Sequence, residues 1–212
     1  MKYKTSNVLK NFWTNTYLVW DEISREAMYI DAAFPHENLV SEIAKYDLKL
    51  KYILNTHGHG DHIGGNTLLK ETFNAQIGIH KIDAEMLFNP QKNLSSRWTE
   101  DVISPKADFF IEDEVELKLG EKIIKVIHTP GHSAGSVSFL VEELLFSGDT
   151  LFAGGIGRTD LPGGNYGELI SSIQKKLFIL PDDTIVLSGH GLQTTIATEK
   201  IENPFVGLAA RF

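Results

Sequence analysis

Three imidazoles and a carboxylate fall within six consecutive positions, His57 to His62, in the stretch Thr56-His57-Gly58-His59-Gly60-Asp61-His62 that follows the apolar run Tyr52-Ile53-Leu54. On extended backbone, side chains two apart point the same way, so His57 and His59 can grip one cation together. Asp61 and His62 come after Gly60, where the chain can turn sharply and aim them elsewhere, which suggests two neighbouring metals. The competing reading is a polar loop that happens to hold histidines. Neutral imidazole is the commonest metal ligand, and this spacing at a strand end favours ligation. Such a motif restricts the fold to scaffolds that bring further donors to the same place.

Three later segments can supply them, each after an apolar strand. In His128-Thr129-Pro130-Gly131-His132, the Pro-Gly pair fixes a tight turn that projects His132, while His128 ends the strand. His132 is therefore favoured as the ligand and His128 as a structural residue. In Ser147-Gly148-Asp149-Thr150 a carboxylate could bridge two cations, although a lone Asp in a turn is usually a turn residue. In Ser188-Gly189-His190-Gly191, flanking glycines let backbone approach the site closely. Grouped together, His57, His59 and His132 would hold one metal, Asp61, His62 and His190 the other, with Asp149 and a hydroxide between them. Open positions remain for substrate, as in catalytic zinc sites. The remaining histidines, His36, His80 and His128, fit no ligand position.

Composition narrows the partners. The chain has 212 residues, 42% of them hydrophobic and 23% charged, and its formal net charge of -8 argues against nucleic acid. No run of about 18 apolar residues exists to span a membrane. Met1 to Asn7 is basic without an apolar core behind it, so it does not read as a signal peptide, and the cytoplasm is the default compartment. The absence of cysteine leaves any metal to nitrogen and oxygen donors. No repeat or linker divides the chain, so one domain over 1–212 is expected, with the oligomeric state left open.

Thr16 to Trp20 and Ala27 to Ile30 predict two strands joined by a turn over Asp21 to Arg25. Pro35 suits the first turn of a helix that carries Leu39, Val40, Ile43 and Ala44 to about Tyr46. Tyr52 to Asn55 is a short buried strand, Leu68, Leu69 and Phe73 mark a helix, Gln76 to His80 a strand, and Asp83 to Phe88 a short helix. Asn89 to Pro105 reads as a long surface loop, a lid or binding segment whose Arg97 and Trp98 could touch a substrate. Val115, Leu117 and Leu119 alternate as a half-buried strand, and the nearly all-apolar Ile123 to Ile127 is expected to lie deeper. Ser136 to Val141 and Leu144 to Ser147 predict a hairpin, and Thr184 to Leu187 a last inner strand. Asn165 can cap a helix bearing Tyr166, Leu169, Ile170, Ile173 and Leu177 on one face. This order implies an α/β chain with two mixed sheets packed face to face and helices outside, a four-layer αββα sandwich.

The His-x-His-x-Asp-His motif, His132, the Ser-Gly-Asp segment and the final Gly-His together resemble the metallo-β-lactamase superfamily along essentially the whole chain. Within it the chain is most similar to the short glyoxalase II-like hydrolases (hydroxyacylglutathione hydrolases). Phe152-Ala153-Gly154-Gly155-Ile156-Gly157-Arg158-Thr159-Asp160-Leu161-Pro162-Gly163-Gly164-Asn165 carries that similarity, as do Thr194-Thr195, Glu199 and Asn203-Pro204-Phe205. The resemblance implies the αββα fold. It departs at the end: full-length glyoxalase II enzymes carry a C-terminal helical domain that binds glutathione, and only 22 residues follow His190 here.

The expected chemistry is attack of a bridging hydroxide on a thioester such as S-lactoylglutathione, with Asp61 orienting the hydroxide. The cofactor would be two divalent ions, zinc first, with iron or manganese as alternatives. A thiol of pKa about 8.5 leaves with little protonation, whereas an amine needs a proton donor for which no residue stands ready. Thioesters therefore rank ahead of β-lactams and amides, with lactones and other esters behind. Arg158 and Lys106 could meet an anionic substrate, though Arg158 is favoured to brace its glycine-rich loop. The rival from another class is a mononuclear-iron persulfide dioxygenase, which the Gly157-Arg158-Thr159-Asp160 segment also resembles. Its iron would use two of His57, His59 and His132 with Asp149. Flavo-diiron reductases fit less well, since their pattern has a Glu where His59 stands, and a nuclease would want a basic surface.

Overall fold

The computed structural model describes residues 1–7, 13–97, 100–208 and 210. Two six-stranded sheets form its centre. The first runs in spatial order β1 (Lys2–Asn7), β2 (Asn15–Trp20), β3 (Glu26–Ile30), β4 (Lys49–Leu54), β5 (Gln76–His80) and β6 (Phe109–Ile111). Its first three strands are antiparallel and the rest join in parallel. Parallel neighbours need a crossover, and α1 (Glu37–Lys45), α2 (Gly60–Ile63) and α3 (Asn66–Phe73) lie within two of them.

The second sheet is built from β7 (Glu116–Leu119), β8 (Lys122–His128), β9 (Val137–Val141), β10 (Leu144–Gly148), β13 (Ile185–Ser188) and β14 (Thr194–Thr195), in the order β14-β13-β10-β9-β8-β7. Between β10 and β13 the chain makes a small ribbon of β11 (Leu151–Phe152) and β12 (Gly155–Ile156), then α4 (Tyr166–Ser172). The helix α5 (Ile196–Glu202) follows β14.

Alternation along the strands sorts side chains into three apolar layers. In β2, Leu18 and Trp20 turn outward to pack with Leu39 and Ile43 of α1 and Leu69 of α3, while Tyr17 and Val19 turn inward. The inward set meets Val126, Phe139, Phe146 and Leu187 of the second sheet. On the far side Leu145 and Val186 pack against Leu169, Ile173 and Leu177 of the α4 segment and Ile196 of α5. This is the αββα sandwich expected from the strand and helix order. Asn165 caps α4 by accepting from the Glu168 amide at 3.1 Å, as its position suggested. The last turn, Ile173–Leu177, winds as a π-turn.

Several local expectations are corrected. Ile123 to Ile127 is not uniformly deep: Ile124 and Val126 are buried, but Ile123 is 43% exposed, because β8 turns only one face fully to the intersheet core. Pro35 lies outside α1, whose N-cap is His36, with Nδ1 accepting from the Asn38 amide at 3.1 Å. The edge strand β1 and the helix α5 lie outside the predicted elements. Asn89 to Pro105 is no simple surface loop. Asn93, Leu94, Ser95 and Ser104 are buried, and the Asn93 side chain donates to the carbonyls of Met86 and Val102. Among the described residues, no helix is long and apolar enough to cross a membrane.

Candidate metal centre

Strands β4, β10 and β13 all end at one edge of the sandwich, and the polar residues identified in the sequence cluster there. Beyond β4, His57 and His59 stand on the connection to α2, and Asp61 and His62 fall in the first turn of that helix. Asp149 follows the end of β10 and His190 follows β13 by one glycine. His132 sits in the turn after β8. Three overlapping trios have their donor atoms within 4.8 Å of one another: His57-His59-His132, His57-His62-Asp149 and Asp61-His62-His190. All seven expected side chains are therefore brought together.

The distances suit donors converging on a cation. His59 Nδ1 and His132 Nε2 are 2.9 Å apart, close to the roughly 3.3 Å between two nitrogens on a tetrahedral ion with bonds of about 2.0 Å. Asp149 lies between the trios, with Oδ1 3.5 Å from His62 Nε2. Its Oδ2 is 3.5 Å from His132 Nε2 and 3.4 Å from His190 Nε2. Asp61 Oδ2 lies 3.5 Å from His190 Nε2 and 3.6 Å from His62 Nε2.

The other nitrogen of most rings is already engaged, which fixes its orientation. His62 Nδ1 meets Asp31 Oδ2 at 2.9 Å, His132 Nδ1 donates to the Arg158 carbonyl at 2.8 Å, and His190 Nδ1 donates to the Trp13 carbonyl at 3.1 Å. Among the described residues, five buried side-chain atoms have no hydrogen-bond partner, and three of them face this cluster: Nε2 of His57 and His62, and Asp149 Oδ1, while His59 turns its Nδ1 rather than its unpartnered Nε2 toward His132. An unmet buried polar atom costs about 1–3 kcal/mol, so three at one spot mark a place shaped for something that binds them. A divalent cation fits this donor set.

Charge tells the same story. Burial, aided by the neighbouring imidazoles, pushes His57 well below the usual histidine value and His59 to about 3, so both are neutral donors. Burial also disfavours a charge on His62, but the carboxylates of Asp61, Asp149 and Asp31 outweigh it and push that ring up to about 10. Burial likewise works against an ionised Asp149, yet the facing His62 holds it well below the ordinary carboxylate range. Around His62 the three carboxylates favour positive charge, and a cation held through its Nε2 would displace the ring's proton.

Gly189 shows how closely backbone approaches. A Cβ there would lie 2.3 Å from Asp149 Oδ1 and 2.8 Å from His62 Cε1, so only glycine leaves the donors in place. Next to the cluster lies a cavity of about 530 Å³ whose apolar wall is Leu94, Phe152, Ile156 and Leu161. Arg97 and Arg158 also line it. Arg158 pairs through both its Nε and an Nη with Asp160, at 2.8 and 2.7 Å, and its carbonyl holds His132, so bracing is its visible role. Lys106 is not part of the lining; its ammonium sits 5.2 Å from the centre of the Phe88 ring. Trp98 lies outside the described residues.

Asp31, directly after the strand Ala27 to Ile30, was not singled out from the sequence. Its carboxylate also accepts from the Thr56 amide at 2.8 Å and the Thr56 hydroxyl at 2.7 Å, gripping the root of the histidine motif. Thr14 was missed too, and its hydroxyl donates to Asp61 Oδ2 at 3.1 Å. Neither has a local spacing signal, since both partners are distant in sequence.

This sandwich with histidines and aspartates at its strand ends belongs to the metallo-beta-lactamase superfamily, whose family model matches residues 13–190. The chain is a metal-dependent hydrolase of that superfamily by its relatives. It is 41% identical to hydroxyacylglutathione hydrolase GloC of Haemophilus influenzae, over 92% of this chain and 93% of that one. Among solved structures, BLEG-1 B3 metallo-beta-lactamase superposes with a TM-score of 0.91 at 39% identity, covering 97% of this chain and 99% of that chain. TTHA1623, solved in a di-iron-bound form, superposes at 0.82 with 34% identity, covering 93% and 97%.

Proposed function

We propose that this chain hydrolyses acyl thioesters of the S-lactoylglutathione kind at a centre of two divalent ions. The observation that carries the reading is Asp149 standing between the two donor sets, with oxygens 3.4–3.5 Å from His62, His132 and His190. The glutathione-thioester hydrolase named among its relatives and the di-iron form of TTHA1623 support the substrate class and the ion count. His57, His59 and His132 would hold one ion, and Asp61, His62 and His190 the other, with Asp149 shared. Zinc is the first choice, with iron or manganese suited to the same nitrogen and oxygen donors.

When bound, such ions supply a water nucleophile at neutral pH, by lowering its pKa to about 7, and polarise an acyl oxygen. The chain's own residues do the rest. Asp61 Oδ2, steadied by Thr14 Oγ1 at 3.1 Å, orients the nucleophile. Leu94, Phe152, Ile156 and Leu161 take the apolar parts of the substrate and exclude bulk water. Arg97 faces the same cavity as a cation for a substrate carboxylate. Water adds across the C–S bond, giving a carboxylate, a thiol and a proton.

The structural likeness to BLEG-1 favours a second reading, β-lactam hydrolysis. Its amine leaving group needs a proton donor. Apart from the two arginines, the titratable residues lining the cavity are His59, Asp61, His132, Asp149 and His190, all of them assigned to metal. The thioester, whose thiolate departs unaided, is therefore preferred.

The test is thiol release from S-lactoylglutathione and a small thioester panel by metal-loaded protein, with a chromogenic cephalosporin alongside. Metal-dependent thiol release is expected. No release from any thioester removes the proposal, and oxygen uptake with glutathione persulfide at one iron per chain would replace it with the dioxygenase.

A further inference from the structure

Asp83 bears no role in the chemistry above, yet it is only 2% exposed and sits directly beneath the histidine trio's two loops. Its Oδ2 accepts from the Ser133 hydroxyl at 2.6 Å and from the Gly58 amide at 3.2 Å, and its Oδ1 accepts from the Gly135 amide at 2.9 Å. Gly58 separates His57 from His59, and Ser133 follows His132 directly. One carboxylate thus ties the loop of His57 and His59 to the loop of His132.

Both glycines lie too close to their neighbours here to carry a side chain. A Cβ on Gly135 would stand 2.5 Å from Asp83 Oδ1. A Cβ on Gly58 would stand 2.5 Å from Met86 Cβ and 3.0 Å from the Asp83 carbonyl oxygen. The clamp is reinforced within its second loop, where the Ser133 and Ser136 hydroxyls are 2.7 Å apart and Ser136 Oγ accepts from the Ser133 amide at 3.1 Å.

We propose that Asp83 is a positioning residue that sets the separation of these two loops, and through it the geometry and affinity of the ion held by His57, His59 and His132. The proposal rests on reading that trio as a metal site. Ligand constellations tolerate only about 0.5 Å of drift, and Asp83 bonds both of the loops on which His59 and His132 face each other at 2.9 Å.

Two variants test it, with cobalt(II) as the probe and no substrate. Asp83→Asn keeps the shape but turns an amide NH2 toward at least one of the three donors. Ser133→Ala removes the hydroxyl bond alone and serves if the first variant does not fold. Cobalt is added to metal-free wild type and variants, and the d–d absorption and two stepwise affinities are read against a competing chelator.

Asp83→Asn should weaken the step belonging to the trio by about 10–100-fold and change its d–d band, with Ser133→Ala weakening it about threefold to tenfold. The step belonging to Asp61, His62 and His190 should move by less than about threefold. Unchanged bands and affinities in folded variants would overturn the inference, as would both steps falling together in proportion to a lowered Tm. A wild-type protein that takes up no cobalt would overturn the metal-centre reading and this inference with it.

Discussion

Replacing Asp31 with Asn keeps the side chain's shape and removes one acceptor from a carboxylate that uses both. Oδ1 accepts from the Thr56 amide at 2.8 Å, while Oδ2 accepts from the Thr56 hydroxyl at 2.7 Å and faces His62 Nδ1 at 2.9 Å. An amide offers one acceptor oxygen and two donor hydrogens. If the oxygen turns to His62, the NH2 meets the Thr56 N–H, donor against donor. If it turns to the Thr56 amide, the NH2 faces His62 Nδ1, which must then accept. The ring proton moves to Nε2, the buried atom left free for a metal. Asn accepts the φ of 52° at this position, so backbone strain does not confound the comparison.

Either arrangement leaves a mismatch worth about 1–3 kcal/mol, and at about 1.4 kcal/mol per tenfold this amounts to a loss of metal affinity of roughly 5- to 140-fold. Where the NH2 faces His62 the loss should fall on the ion which that ring serves, and where it faces Thr56 it should reach His57, whose Nδ1 lies 3.1 Å from the Thr56 hydroxyl. Competition with a chromophoric chelator, resolved into two binding steps, measures it. Both steps within about twofold of wild type would show that Asp31 does not orient His62 and would refute the reasoning.

Gly189→Ala drives a methyl into Asp149 and His62, so titrated protein should retain fewer than two ions per chain with its Tm in chelator little changed; full retention contradicts the close-approach argument. Arg97→Ala should raise KM about tenfold for an anionic glutathione thioester and leave both kcat and an uncharged thioester unaffected. An equal loss on both substrates would show that the guanidinium does not recognise charge. Glu26 accepts from the Gly120 amide and from Lys51, each at 2.8 Å, and these bonds hold its carboxyl below the usual glutamate value of 4.5. Its stabilising effect is present above that value and is lost as pH falls through the lower folded one. Glu26→Gln should therefore flatten the fall of Tm below about pH 4.5, and an unaltered acid limb would contradict the sign.

The meeting of the seven side chains was legible because identity and spacing coincide at His57 to His62, and because each of the other three follows an apolar strand. The layers were legible through alternation in β2 and helical spacing in α4. What escaped depends on contacts far apart in the chain. Asp31 looks like any strand-ending aspartate until Thr56 and His62 are folded onto it. Arg158 drew notice for its guanidinium, yet it holds His132 through a main-chain carbonyl, which residue identity does not reveal. Ile123 was misjudged because five mostly apolar residues say nothing of which face a strand turns to its partner sheet.

The donors are divided between the sheets: β4 leads into His57, His59, Asp61 and His62, while β8, β10 and β13 lead into His132, Asp149 and His190. An ion taken up here therefore acts as a rivet through the seam of the sandwich. Free metal at about a hundred times its dissociation constant would add about 2.7 kcal/mol to the cohesion of the whole chain. Sliding of one sheet over the other would, by the same coupling, loosen the grip on the ion, so that wear in the frame and loss of the cargo at its edge become one event.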